Sequence, residues 1–214
     1  MALFNKIMHF HPIQSINDVF TSLKWSRQRR KKGYCEYDLY SISNWFMKVV
    51  PEMIEEARAK KLGIPSVLIE EARNSHNIDP SEDFYSIPEE LLDEIEKEAS
   101  NKWDAILTRM VFLMRESDED TCSRKNPYEE EYNKAREEFA FKYGDLGEKL
   151  LTEEDKEYAK RTGGRKAYFM SDVPEYREIY NKYMEEQQKL WEYHEACQKE
   201  GLDLFVKWFS YLGI

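Results

Sequence analysis

Between Pro88 and Glu116 no glycine or internal proline interrupts the chain, and Trp103, Ile106, Leu107, Met110, Val111 and Met114 return every three or four residues. Spacing of that kind puts the six side chains on one face of a helix, and such a face must be covered by other elements. The preceding turns, "EELLDEIEKE", are acidic, as suits a helix N-terminus. A second stripe, Ile42, Trp45, Phe46, Val49, Val50, Met53, Ile54 and Ala57, keeps the same rhythm for about four turns at 3.6 residues each. Asp38 or Ser41 can cap it, and Pro51 falls inside it, where a kink is expected because the rhythm survives the proline.

The remaining segments repeat this pattern. Ile16, Val19, Phe20 and Leu23 predict a helix over residues 15–32, closed by Gly33. Residues 63–88 form an irregular excursion with one short helix near Val67–Asn74. "NPYEEEYNKAREEFAFKYG" reads as a helix with Asn126 as cap, Pro127 at its first position and Gly144 at its exit. "LTEEDKEYAKRTGG" reads likewise, from Thr152 to the stop at Gly163 and Gly164. From Asp172 onward the periodicity predicts one long helix or two in series. Tyr176, Ile179, Tyr180, Tyr183, Met184, Leu190, Trp191 and His194 share a face, and Gly201 is expected to relax the chain. Only "RKAYFM" is strand-like. With 8 glycines and 7 prolines in 214 residues, and no repeat or flexible linker, the expectation is an all-α fold. It takes the form of a single α-helical domain over 1–214, an irregular multi-helix bundle with a long C-terminal helix.

Net charge of −10 works against non-specific binding of duplex over the whole surface, since phosphate is repelled. It permits a localised basic patch, or an acidic surface that faces a basic partner. Cys35, Cys122 and Cys197 lie far apart, which suits a reducing compartment rather than a disulfide framework. No apolar run reaches the ~18–20 residues of a membrane span. The first residues, "MALFNKIMHFHPIQ", lack a basic start followed by an apolar core. The expected setting is soluble and cytoplasmic.

The charge distribution has one sharp local exception, "SRQRRKKGYCEYDLY", residues 26–40. Lys24, Arg27, Arg29, Arg30, Lys31 and Lys32 sit beside Trp25, Tyr34, Tyr37 and Tyr40. Cations interleaved with rings suit single-stranded nucleic acid, the cations on phosphates and the rings on bases. A contact with a protein partner is the second reading. Pairing with the chain's own acids, Glu36 and Asp38 among them, is the reading that the residues favour over both. Arg27 and Arg30 continue the line of the Ile16–Leu23 stripe, so they are expected to meet carboxylates of a neighbouring helix. Arg29, Lys31 and Lys32 are then left for a partner, and the tyrosines are expected to pack the turn onto the helix that contains Trp45. The candidate partner-binding set is Arg27, Arg29, Arg30, Lys31, Lys32, Tyr34, Tyr37 and Asp38.

Other chemistry is sparse. His194 and Cys197 could share a helical face and, with Cys35 and Cys122, supply four zinc ligands, but no CxxC pair supports this. His9-x-His11 is weaker. Glu89, Glu90, Asp93 and Glu94 could hold magnesium as in an all-α nucleotide hydrolase, which needs acids from a second helix as well. Glu129, Glu130 and Glu131 open another helix, without that spacing. No nucleophile elbow, phosphate loop or dinucleotide fingerprint occurs. No cofactor, metal or catalytic residue is expected.

Several phrases carry a resemblance when taken together: "RRKKGYCEYDLYSISNWFMKVVPEMI", the Gly63–Pro65 turn, "WDAILTRMVFLM", "CSRKNPYEEEY", "YGDLGEKL", "SDVPEY" and "LDLFVKWF". From about Trp25 onward the chain resembles a widespread group of small uncharacterised proteins of bacteriophages and prophages, particularly of gut Firmicutes. The features shared most broadly are Arg29 with Gly33 and Tyr34, then Asp38, Tyr40 and Ser41, and Trp103 with Ile106 and Leu107. Residues 74–86 look like a local insertion. The resemblance implies an accessory protein of an infected or lysogenic bacterium, with no activity to carry over. It would bind a host or phage protein, as a counter-defence or host-takeover factor does. The alternative is a single-stranded nucleic-acid-binding protein of phage DNA metabolism.

Overall fold

The computed structural model describes residues 16–61, 63–79 and 86–212; the N-terminal segment with His9 and His11, and part of the excursion after Asp79, lie outside these. The fold is all-α. Among the described residues there are seven α-helices and no strand: α1 (Ile16–Lys32), α2 (Ile42–Ala59), α3 (Ser66–Ser75), α4 (Glu89–Glu116), α5 (Glu129–Tyr143), α6 (Glu153–Thr162) and α7 (Pro174–Trp208). The chain divides into two compact units. One comprises Met1–Cys122 with His194–Ile214, the other Ser123–Tyr193.

The core of the first unit is built on α4. Its face of Ile95, Ala99, Trp103, Leu107, Met110, Val111 and Met114 is buried against Met47 and Ile54 of α2, Leu68 and Ala72 of α3, and Trp208. Burying each large side chain of this kind is worth roughly 1.5–3 kcal/mol, which holds α2 and α3 against α4. The α4 termini suit their positions in the helix dipole, with Glu89 and Glu90 in the first turn and Arg115 in the last. Arg115 reaches Glu52 of α2 at 2.7 Å, and Arg109 reaches Glu200 of α7 at 2.8 Å.

Two details bear on the sequence expectation, and the second departs from it. The α2 helix continues through Pro51, which is fully buried, so the lost backbone bond is accommodated within one helix. Gly201 does not relax the chain: α7 runs unbroken past it. Its role is close approach, since a Cβ there would lie 3.3 Å from Leu113 Cβ and 3.4 Å from Met114 Cγ. The glycine allows α7 to press onto the buried face of α4.

The second unit has a smaller, aromatic core of Phe139, Met170, Tyr176 and Ile179. Tyr132 stacks on Tyr183 with centroids 3.9 Å apart. Met184 and Trp191 are exposed, so the apolar face read along α7 is only partly covered. Thr152 caps α6 in a reciprocal box with Asp155. The same carboxylate accepts from Lys166 at 2.8 Å and from the Tyr168 hydroxyl at 2.9 Å. These bonds, led by Lys166 and then Thr152, hold Asp155 far below the usual carboxylate range. "RKAYFM" is therefore a looped strap pinned through Lys166 and Tyr168.

Candidate functional site

The candidate site is the basic end of α1 with the turn that follows. Four cations, Arg29, Arg30, Lys31 and Lys32, occupy the last turn of α1, where the helix dipole is negative. Gly33 ends the helix at φ +83°, a left-handed conformation that glycine adopts without strain, and its N–H donates to the Arg29 carbonyl at 2.9 Å. The chain then doubles back through buried Cys35 into a 3₁₀ turn, Tyr37–Ser41.

Two carboxylates clasp this turn onto α1. Asp38, only 8% exposed, accepts from Arg29 Nη2 at 2.6 Å and Nε at 3.1 Å, and from the Cys35 N–H at 2.7 Å. The fork of the guanidinium thus meets the carboxylate through two donors. Burial pushes the Asp38 carboxyl up, but the bonds from Arg29 and Cys35 outweigh it and leave it below its ordinary value. The same contact raises Arg29. Glu36 takes Lys24 Nζ at 2.7 Å and Gln28 Nε2 at 3.0 Å, while its own N–H donates to Gln28 Oε1 at 2.9 Å. Lys24 and then Gln28 hold Glu36 below its usual range. On the same side Trp25 packs on Tyr37 with centroids 5.1 Å apart.

This arrangement reverses the roles expected of the arginines. Arg29, expected to be left for a partner, is committed to Asp38. Arg27 and Arg30, expected at a helix–helix seam, are exposed and make no ion pair with a described residue. The stripe they extend is bare as well, with Phe20 68% and Leu23 61% exposed. The physical reason lies in the turn: Gly33 sends the chain back along the Trp25–Arg29 side of α1, so that side is covered and the apolar side is not. Lys31 and Lys32 are exposed, and Lys32 Nζ lies 5.9 Å from the centre of the Tyr34 ring. The tyrosines, expected to pack the turn onto the helix with Trp45, are exposed instead: Tyr34, Tyr37 and Tyr40 all face solvent, with Tyr37 lying on Trp25, and Leu39 and Ile42 add apolar surface.

The structure thus brings the eight predicted residues into one local constellation and divides them. Arg29 and Asp38 hold the turn; Arg27, Arg30, Lys31, Lys32, Tyr34 and Tyr37 form its outer surface. Sequence reading missed Phe20 and Leu23 as surface residues, because helical spacing reports a face and not what covers it. It also missed the reciprocal Gln28–Glu36 pair, for which no local motif exists.

Among the described residues the other candidates do not assemble. Glu89, Glu90, Asp93 and Glu94 are all exposed at the start of α4. Among the described residues no three His, Cys, Asp or Glu side chains are grouped to hold a metal ion. Cys35, Cys122 and Cys197 are buried and not joined in a disulfide. Among the described residues no helix is long and apolar enough to cross a membrane. Comparison with protein-family models, with curated proteins and with solved structures finds no match.

Proposed function

We propose that the chain is a phage-encoded accessory protein that acts without catalysis, by binding a host or phage protein through the end of α1 and the turn after it. The observation that carries this reading is the bare face of α1. Phe20 and Leu23 stand exposed beside Arg27 and Arg30, on a helix whose opposite side is clasped by Glu36 and Asp38. Adjoining exposed apolar side chains rimmed by charge suit an interaction surface. The cations add attraction and orientation toward an acidic partner, an effect that salt weakens. The clasp holds the surface in one conformation, which lowers the ordering cost of binding.

The test is an affinity capture with tagged protein from infected and uninfected bacterial host, with and without nuclease, run beside the Arg27→Glu/Arg30→Glu variant. The expected result is a protein retained after nuclease treatment and lost with the variant. Recovery of nucleic acid that disappears on nuclease treatment would overturn the reading in favour of a single-strand binder. Equal capture by the variant would move the contact elsewhere on the molecule.

A further inference from the structure

The bare face of α1 has a definite chemical pattern. Phe20, Leu23, Arg27 and Arg30 follow one another at intervals of three, four and three residues, so they form one stripe over about three turns, roughly 15 Å long. Its N-terminal half is apolar and its C-terminal half cationic. Both halves are exposed, and neither cation pairs with a described residue. The opposite side is already engaged, by Tyr37 on Trp25, Glu36 on Gln28 and Asp38 on Arg29.

We propose that the partner segment covering this stripe is an acidic amphipathic helix of another protein, lying antiparallel to α1. The proposal rests on the reading of α1 as the partner-binding element. A single exposed helical stripe is matched most fully by a second helix, whose side chains interleave with it at the same spacing. The apolar half calls for apolar residues at three- and four-residue intervals. The Arg27 and Arg30 guanidinium groups call for carboxylates, which they can bind through two donors. Those carboxylates lie over the C-terminal half of α1, and acids are favoured at a helix N-terminus, so the partner's first turns sit there and its chain runs antiparallel. The stripe itself carries a single ring, Phe20, while Trp25 and Tyr37 pack on each other on the clasped side, which weighs against successive bases of a single strand stacking along it. A 17-residue helix is marginal by itself, so covering the stripe also stabilises α1.

The probe is a labelled peptide of about five turns at 3.6 residues per turn, with glutamates in its first two turns and leucines at three- and four-residue spacing after them. Its binding to the full chain is read by fluorescence anisotropy. Three comparisons accompany it: a shuffled peptide of the same composition, a single-stranded oligothymidylate, and anionic phosphatidylglycerol vesicles. The ordered peptide is expected to bind at least about tenfold more tightly than the shuffled one. It should lose about tenfold with Phe20→Ser/Leu23→Ser, and equally with Arg27→Glu/Arg30→Glu. A peptide carrying lysine for glutamate should recover binding to the charge-reversed variant. Equal binding of both peptides, or preference for the oligonucleotide or the vesicles, overturns the proposal. So does self-association that rises with concentration and is lost with Phe20→Ser/Leu23→Ser, which makes a second copy the occupant. A protein captured through Arg27 and Arg30 by some surface other than such a helix removes this partner chemistry and keeps the binding reading. Failure of the capture removes both.

Discussion

In α4, the apolar residues that recur at helical spacing meet α2, α3 and the end of α7, and Ile95, Ala99 and Met110 are wholly withdrawn from solvent. In α1, Val19, Phe20 and Leu23 recur at the same spacing and remain exposed. The two helices obey the same local rules of period and dipole, yet one is the centre of a core and the other is clasped on its opposite, polar side. The difference lies in what the chain does next. After α1 the Gly33 turn returns the chain to the Trp25–Arg29 side, where Glu36 and Asp38 find donors. An amphipathic pattern thus identifies a face that wants cover, and the turn chemistry decides whether the molecule's own elements supply it.

The largest effect that can break this comparison is expected in α4. Met110→Ala removes a side chain with no exposure from the contact of α4 with its neighbours, leaving a cavity. It should cost about 2–5 kcal/mol, seen as a lower denaturation midpoint in guanidinium. A loss below about 1 kcal/mol would mean that this core is far more adaptable than its packing indicates.

An intermediate effect is expected at the clasp. Asp38→Asn keeps the size of the side chain but removes the charge that pairs with Arg29 and one of the acceptors of the buried turn. The cost at neutral pH should be about 1–3 kcal/mol, since a partly buried donor loses its partner. The pH dependence has a definite sign. The Asp38 carboxyl lies below its ordinary value in the folded chain, so its stabilisation is complete above about pH 4, the range of a free aspartate, and fades as pH falls below it. Thermal melts of the parent and Asp38→Asn should therefore be well separated at neutral pH and draw together in acid. A constant gap down to about pH 3 would show that Asp38 acts by shape rather than by charge.

Much of this was legible in the sequence, for reasons that differ by element. The α4 stripe, the Gly33 stop, the Thr152 cap and the short helix within residues 63–88 follow from period and capping, which are local. The all-α class follows from the same signals. Gly201 was legible only as a glycine, because its meaning depends on Leu113 and Met114, distant in sequence and adjacent in space. The division of labour among the arginines was hidden for a related reason. Arg27, Arg29 and Arg30 are equivalent in type and nearly adjacent, and only the path after Gly33 determines which of them meets Asp38. The candidate site was located by composition; which of its residues hold the turn and which remain outward required the geometry.

The smallest effect is the one that sharpens the comparison most. Phe20→Ser combined with Leu23→Ser removes two large apolar side chains, the kind of change that in α4 would cost several kcal/mol. Here both side chains are already in water for most of their surface, so there is little burial to lose. Serine's lower helix propensity contributes only a few tenths of a kcal/mol per site. The free chain should therefore change in stability by no more than about 1 kcal/mol, with its thermal midpoint nearly unchanged. A large loss would show that the stripe is already covered within the free molecule, and α1 would then join α4 as a core element. A small loss leaves two apolar residues whose presence the fold itself does not require. That is the result the proposed contact requires, and the neighbouring Arg27 and Arg30 set the sign of charge that such a partner would carry.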